Sequence, residues 1–460
     1  MGFELHCSRY DHSKRIRDLG LSWVFSQSEN GALGCPRKYA YGYVQAYQVG
    51  SKGKALIHGI VWHRMCEEFL LNIEELKEPE AFSDFVHVNL NAWIWQELDD
   101  LKDINENQKQ EWFDHIHKNI SNGCEGWRRH WMERIYPTYE VAKVEYEVLG
   151  IINRPDGKPF RPRTKVVEYK LDDGSVVMRP TFVGEAKTKD LFNVPEINGK
   201  YVLSSKVKTV VWPWHKIGKI DVILKHKTKK ELWILDHKTT GKPSSYESRM
   251  SYDLQLPGYG ALLQQEMNDG KTEFAQKYKG CRIAGYIWDI CNSSIPSQPK
   301  PLTSGKLSLA KRGCPSWQYE KAVAQLREDY LMDEAQLPGN LEDYLEHIDW
   351  LKKEHDPKYF RLCETYFTQD AIQRALRENY VTACRISEIR KDLTNITLKH
   401  KEGSDGYNAA FDLIAYRYPL CDRYGNCEYG NLCLANNTPC VIINKQAPKV
   451  YWASKPTDQQ

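Results

Sequence analysis

Between Gly218 and Tyr259 the chain sets out, in order, Gly-Lys-Ile-Asp221, the apolar run Leu232-Trp233-Ile234-Leu235, then Asp236-His237-Lys238, and finally Gln255 and Tyr259. A hard divalent cation such as Mg²⁺ takes one or two carboxylates and leaves its other positions to water and substrate oxygens, and Asp221 with Asp236 supplies such a pair. Lys238 adds compensating charge on an ammonium with three donors and no acceptor. Residues of these types suit the holding of a metal against a phosphodiester.

The elements that must position them can be read from the same stretch. Lys216 to Lys225 predicts a strand, Lys227 to Lys230 a polar turn, and Glu231 to Lys238 a second strand, so that the two aspartates lie on neighbouring strands. Alternation puts Leu232, Ile234, Asp236 and Lys238 on one face and Trp233, Leu235 and His237 on the other. Ser251 to Met267 predicts a helix on which a spacing of four stacks Gln255 over Tyr259, provided that Pro257 and Gly258 fall in its first turn. Upstream, apolar spacing predicts an amphipathic helix from Ala55 to Leu71 carrying Gly59-Ile60-Val61-Trp62-His63. Its two histidines, His58 and His63, compete for a role at the site.

This ordered set resembles the RecB-like branch of the PD-(D/E)XK nuclease superfamily. There an Asp after Gly-x-Ile, an Asp-x-Lys on the next strand, a Gln-x-x-x-Tyr on the following helix and an upstream Gly-x-x-x-His form the centre. The resemblance implies an α/β fold with a restriction-endonuclease-like core, a central mixed sheet flanked by helices. It implies metal-dependent hydrolysis of DNA, with one or two Mg²⁺ or Mn²⁺ at Asp221, Asp236 and His63, helped by the main-chain carbonyl of His237. Lys238 would orient water or stabilise charge, and Gln255 and Tyr259 would position the DNA strand. Members often carry a further Glu on a preceding strand, for which Glu145 is the match in the strand predicted over Glu140 to Val148.

Thirteen cysteines, odd in number and scattered, and an amino terminus without an apolar signal region point to a reducing cytoplasmic setting. Cys421, Cys427 and Cys433 recur at six-residue intervals in the tail. The Cys35-Pro36-Arg37-Lys38-Tyr39 segment is similar to the opening element of iron-sulfur RecB-like proteins, including helicase-nuclease subunits and CRISPR-associated exonucleases. That resemblance implies a [4Fe-4S] cluster on Cys35, Cys421, Cys427 and Cys433 joining the N- and C-terminal segments. The usual tail spacing is Cys-x-x-Cys-x5-Cys, so Cys421 departs from the pattern. The alternative is a zinc knuckle of Cys421, Cys427, Cys433 and Cys440, although structural zinc ligands usually come in pairs two to four residues apart.

At 460 residues and 41% hydrophobic content the chain can bury a large core, and no run of about 18 apolar residues predicts a membrane span. The net charge of +3 says little, but ten lysines lie between Lys206 and Lys242. Lys225, Lys227, Lys229 and Lys230 among them are candidates to follow DNA phosphates near the site, against the plainer reading of a solvated turn. The expected organisation is an entry segment (1–54), a tryptophan-rich helical region (55–136), a nuclease core (137–290) with inserted hairpins at about 150–200, a loop and helical region (291–410) and a cysteine-rich tail (411–460). Expected partners are DNA and a helicase or recombination protein in a bacterial or phage-infected cell. A non-hydrolysing DNA-binding scaffold and a zinc-stapled interaction protein are the rival classes.

Overall fold

The computed structural model describes residues 24–26, 32–33, 35–39, 53–99, 101, 104–180, 195–197, 199–211, 213–247, 253, 255–310, 314–329, 338–399, 405–414 and 453–454. In chain order its elements are β1 (Val24–Ser26), α1 (Pro36–Tyr39), α2 (Lys54–Leu71), α3 (Ile73–Leu76), α4 (Pro79–Asp99), α5 (Glu106–Arg134), β2 (Tyr139–Ile151), β3 (Arg163–Leu171), β4 (Val176–Pro180), β5 (Glu196–Ile197), β6 (Lys200–Val211), β7 (His215–His226), β8 (Glu231–Thr240), α6 (Ser244–Glu247), α7 (Gln255–Asp269), α8 (Glu273–Lys277), β9 (Arg282–Asn292), α9 (Ser316–Asp329), α10 (Leu341–Glu354), β10 (Phe360–Tyr366), α11 (Gln369–Lys399), α12 (Asp405–Ile414) and β11 (Ala453–Ser454).

Six strands form a central mixed sheet in the order β1-β7-β8-β9-β10, with β2 along the other edge of β7. The β7–β8, β2–β7 and β9–β10 pairs are antiparallel, whereas β8–β9 and β1–β7 are parallel. The run Leu232 to Leu235 is fully apolar because β8 is covered on both faces. Trp233 and Leu235 pack with Trp62, Phe69, Phe82 and Trp127 of α2, α4 and α5. Leu232 and Ile234 pack with Leu256, Leu262 and Leu263 of α7. The tryptophan-rich helices therefore share one apolar core with the sheet. Burying side chains of this size contributes about 1.5–3 kcal/mol each.

Helix starts follow ordinary capping. Asn105 accepts from the Gln108 N–H at the head of α5, and Asn340 does the same for Glu342 at α10. The inserted region forms a second, antiparallel sheet in the order β11-β4-β3-β6-β5. Its β3–β4 turn uses Gly174 at a φ of 81°, a conformation that disfavours a side chain. The predicted hairpins are present, although β6 runs on to Val211, beyond the predicted limit.

The N-terminal segment packs on the far end of the chain. Phe25, Ala32, Leu33 and Tyr39 form a cluster with Ala383, Ile386, Ile389 and Ile396 of α11, and the Tyr39 hydroxyl accepts from Arg390 Nε at 2.7 Å. Among the described residues no helix is long and apolar enough to cross a membrane.

Candidate active site

Strand β7 has two neighbours on the edge away from β2, and they leave a gap. β1 pairs with it at His215 to Ile217, and β8 pairs with it only from Lys225↔Leu232 to Val222↔Leu235. β8 then continues beside β9, where Asp236 lies level with Trp288 and His237 with Asp289. The sheet thus forks one residue past Val222, and Asp221 and Asp236 stand at the mouth of the fork. Parting of the strands leaves the His237 N–H without a β7 carbonyl, and the Asp221 carboxylate takes it, Oδ2 accepting at 3.0 Å. The paired edge is irregular here too. On β2 the residues Val144 and Tyr146 sit opposite Val222 and Ile220, which brings Glu145 level with Asp221. Glu145 is the one described non-glycine residue with a positive φ, 52°, and it pairs with Lys219.

The other members converge on this point. His63 of α2 brings Nδ1 to 3.3 Å from Asp221 Oδ2 and also hydrogen-bonds the His237 backbone. His58 does not compete. It is buried, stacked on Trp62, and its Nε2 lies 3.0 Å from Asn119 Oδ1. Asp236 and Lys238 share a face, as alternation requires, and form an ion pair. Gln255 Nε2 donates to the other Asp236 oxygen at 3.3 Å.

Three expectations are corrected. The helix begins at Gln255 and not at Ser251, because the Asp253 carboxylate accepts from the Gln255 and Leu256 N–H groups and so fixes the start, with Pro257 and Gly258 inside the first turn. Tyr259 does not stand open at the site. It is buried with its ring over the Gly218 backbone, where a Cβ would lie 2.2 Å from Tyr259 Cε1. The lysine turn is not beside the site either. Lys227 and Lys230 each lie six residues along the hairpin from the nearer aspartate, roughly 20 Å at the rise of a strand. Lys225 there donates to the Lys229 carbonyl at 2.6 Å, and Lys227 lies 4.2 Å from the Tyr136 ring centre.

Electrostatics set Asp236 apart. Burial pushes its carboxyl up to about 7, the Lys238 charge opposes that, and the Asp221 charge adds to it. His63 is moved down to about 4, chiefly by burial, against the pull of Asp221. Lys238 is held above its ordinary value: burial works against the ammonium, but Asp236 outweighs it. Two carboxylates, an imidazole and a backbone carbonyl make an oxygen-rich donor set that fits Mg²⁺ or Mn²⁺. Among the described residues no group of three or more His, Cys, Asp or Glu is drawn together closely enough to hold a metal ion. Asp236 is turned to Lys238 and Gln255, and His63 stays with Asp221, so the two carboxylates each keep a protein partner.

Sequence reasoning missed Asp289, Trp127 and His130. Asp289 is 2% exposed; its Oδ2 accepts from Trp127 Nε1 at 2.8 Å and meets His237 Nδ1 at 2.9 Å, and its Oδ1 is 3.5 Å from His130 Nε2. The signal was available as a lone acid in the apolar strand Ile283-Ala-Gly-Tyr-Ile-Trp-Asp289-Ile-Cys291. Of the proposed cluster cysteines, Cys35 is a half-buried free thiol just before α1, and Cys421, Cys427 and Cys433, like Cys440, lie outside the described residues.

No curated protein matches the chain. A family model does, over residues 25–433, which span every element from β1 through α12 and all the residues gathered at the fork. Proteins of that family are generally metal-dependent nucleases. With its Asp221, Asp236 and Lys238 in place on adjoining strands, the chain belongs to the PD-(D/E)XK nuclease superfamily.

Proposed function

We propose that the protein is a divalent-metal-dependent DNA nuclease of the RecB-like branch, acting as an exonuclease. The observation that carries this is the fork itself, where Asp221 and Asp236 stand on parting strands, His63 of α2 reaching Asp221, and Gln255 of α7 and Lys238 reaching Asp236. Asp221, Asp236 and His63, with the His237 carbonyl, would hold Mg²⁺ or Mn²⁺. Bound there, the cation would acidify water and neutralise charge on the phosphate. Lys238 holds a positive charge beside the reacting centre and presents donors toward developing negative charge. Gln255 keeps Asp236 from rotating. The Tyr259 ring sets the distance of α7 from β7. Lys219, exposed and next to Glu145, is placed to meet a DNA backbone at the same opening.

The experiment is cleavage of end-labelled single- and double-stranded DNA, linear and circular, with and without Mg²⁺ or Mn²⁺. Metal-dependent loss of linear substrate that spares circles supports the reading. Cleavage of circles makes the enzyme an endonuclease, and an absence of metal-dependent cleavage makes it a scaffold.

The same reading includes a [4Fe-4S] cluster on Cys35, Cys421, Cys427 and Cys433. Its support is the motif together with the packing of the Cys35 segment on α11, the helix that leads toward the tail. Protein isolated without oxygen should contain about four irons per chain. Zinc without iron, or iron retained in Cys35→Ala, would remove the cluster from the proposal.

A further inference from the structure

On the α5 side of β8, away from Lys238, lies a second charged group that the chemistry above does not use. Asp289 sits among apolar neighbours at 2% exposure. Burial works to raise its carboxyl, but the His130 and His237 imidazoles beside it outweigh that and hold the group well below the usual carboxylate range. An ionised carboxylate costs free energy at such a place that an apolar side chain of similar size would not. Its bonds to Trp127 and His237, and His130 at 3.5 Å, offset that cost without explaining why a charge is there.

The register supplies a reason. Asp289 is level with His237 on the parallel neighbour, so both side chains leave the sheet on one face. Among the described residues the His237 ring finds no partner for Nε2, which leaves Asp289 as its polar anchor. Around it stand the rings of Trp127 at 5.8 Å, His63 at 5.9 Å and Trp131 at 6.1 Å. A ring so held fixes the backbone that carries it. That backbone gives its N–H to Asp221 and bonds His63.

We propose that Asp289 is a positioning residue for the metal centre: by anchoring His237 it sets the backbone that orients Asp221 and His63, touching neither cation nor DNA. The inference rests on the nuclease reading above. Partners that orient metal ligands at one remove typically matter by 10- to 100-fold in metal affinity.

The test measures Mn²⁺ affinity by electron paramagnetic resonance without DNA, on full-length protein whose fold is checked by circular dichroism. Asp289→Asn is expected to weaken Mn²⁺ binding about tenfold or more, and His237→Gln to do the same. Because one acts through the other, the double variant should bind no more weakly than His237→Gln alone. A folded Asp289→Asn protein with parental affinity overturns the proposal, as do losses that add in the double variant. If Asp289→Asn does not fold, His237→Gln decides alone, and parental affinity there is equally fatal. Mn²⁺ binding that is indifferent to Asp221→Asn overturns the metal-site reading itself, separately from any result at Asp289.

Discussion

Asp236 and Asp289 are buried to the same degree, 3% and 2% exposed, on adjacent strands, yet their acidities move in opposite directions. Burial pushes Asp236 up to about 7, whereas Asp289 is held well below the ordinary range in spite of burial. Desolvation is common to both and cannot be the discriminator. The difference lies in the company: Asp289 has an indole N–H and two imidazoles around it, and Asp236 has Lys238 and Gln255 but also the negative Asp221 close by. One carboxylate is electrostatically complete and belongs to the scaffold. The other is left short of positive charge where a cation would complete it.

The sharpest attack on this contrast is on cleavage. Asp236→Ala, and separately Lys238→Ala, should lower the cleavage rate on the order of a thousandfold, about 4 kcal/mol, in protein that stays folded and still binds DNA. Near-parental rates in either variant would take the fork out of the chemistry. Asp289→Ala should show itself first as lost stability, about 1–3 kcal/mol in denaturant unfolding, because the Trp127 N–H and the His237 ring lose their buried partner. An unfolding midpoint that does not move would erase the distinction between the two acids.

Next comes pH. A carboxyl raised in the folded state above its unfolded value contributes stability that is full below about 4 and is lost as pH rises through about 7. The metal-free protein should therefore lose stability across that window, and Asp236→Asn should flatten the loss and raise Tm at pH 8 by a few degrees. Mn²⁺ affinity should climb as pH rises through 7, since the cation must displace a proton. Thermal melts and Mn²⁺ titrations at pH 5 to 9 check both, and an Asp236→Asn protein as pH-dependent as the parent would contradict them.

Much of this was legible in the order of the residues. The strand-turn-strand and the shared face of Asp236 and Lys238 follow from local alternation and apolar runs, and local signals survive into the fold; the sheet between helix layers came from the family resemblance. The fork does not follow from them. Where β7 and β8 part is decided by what else each strand pairs with, β1 and β9, which are distant in sequence. The same holds for Asp289, whose partners come from α5 and β8, and for Tyr259, whose burial depends on Gly218 having no side chain. The placement of the lysine turn was not legible either: closeness in sequence to the aspartates is not closeness at the end of an extended hairpin.

The smallest expected effect concerns that turn. Replacing Lys225, Lys227, Lys229 and Lys230 with Gln should change DNA affinity less than about twofold and leave its salt dependence intact. A salt slope reduced by several units would mean that these lysines release counterions after all, and that DNA reaches well beyond the fork. Gly218→Ala lies between these extremes. The new methyl would strike the Tyr259 ring, and a loss of about 1–3 kcal/mol is expected in denaturant unfolding.

That ring contact turns the spacing between Gln255 and Tyr259 into a ruler. Tyr259 is the zero mark, pressed on the bare backbone of Gly218, and Gln255 is read off one turn away, about 6 Å along the helix axis. What the motif conserves mechanically is a length and an angle. A single residue inserted between the two marks would turn the amide by about 100° and advance it by about 1.5 Å, leaving every residue of the site present and Asp236 without its brace.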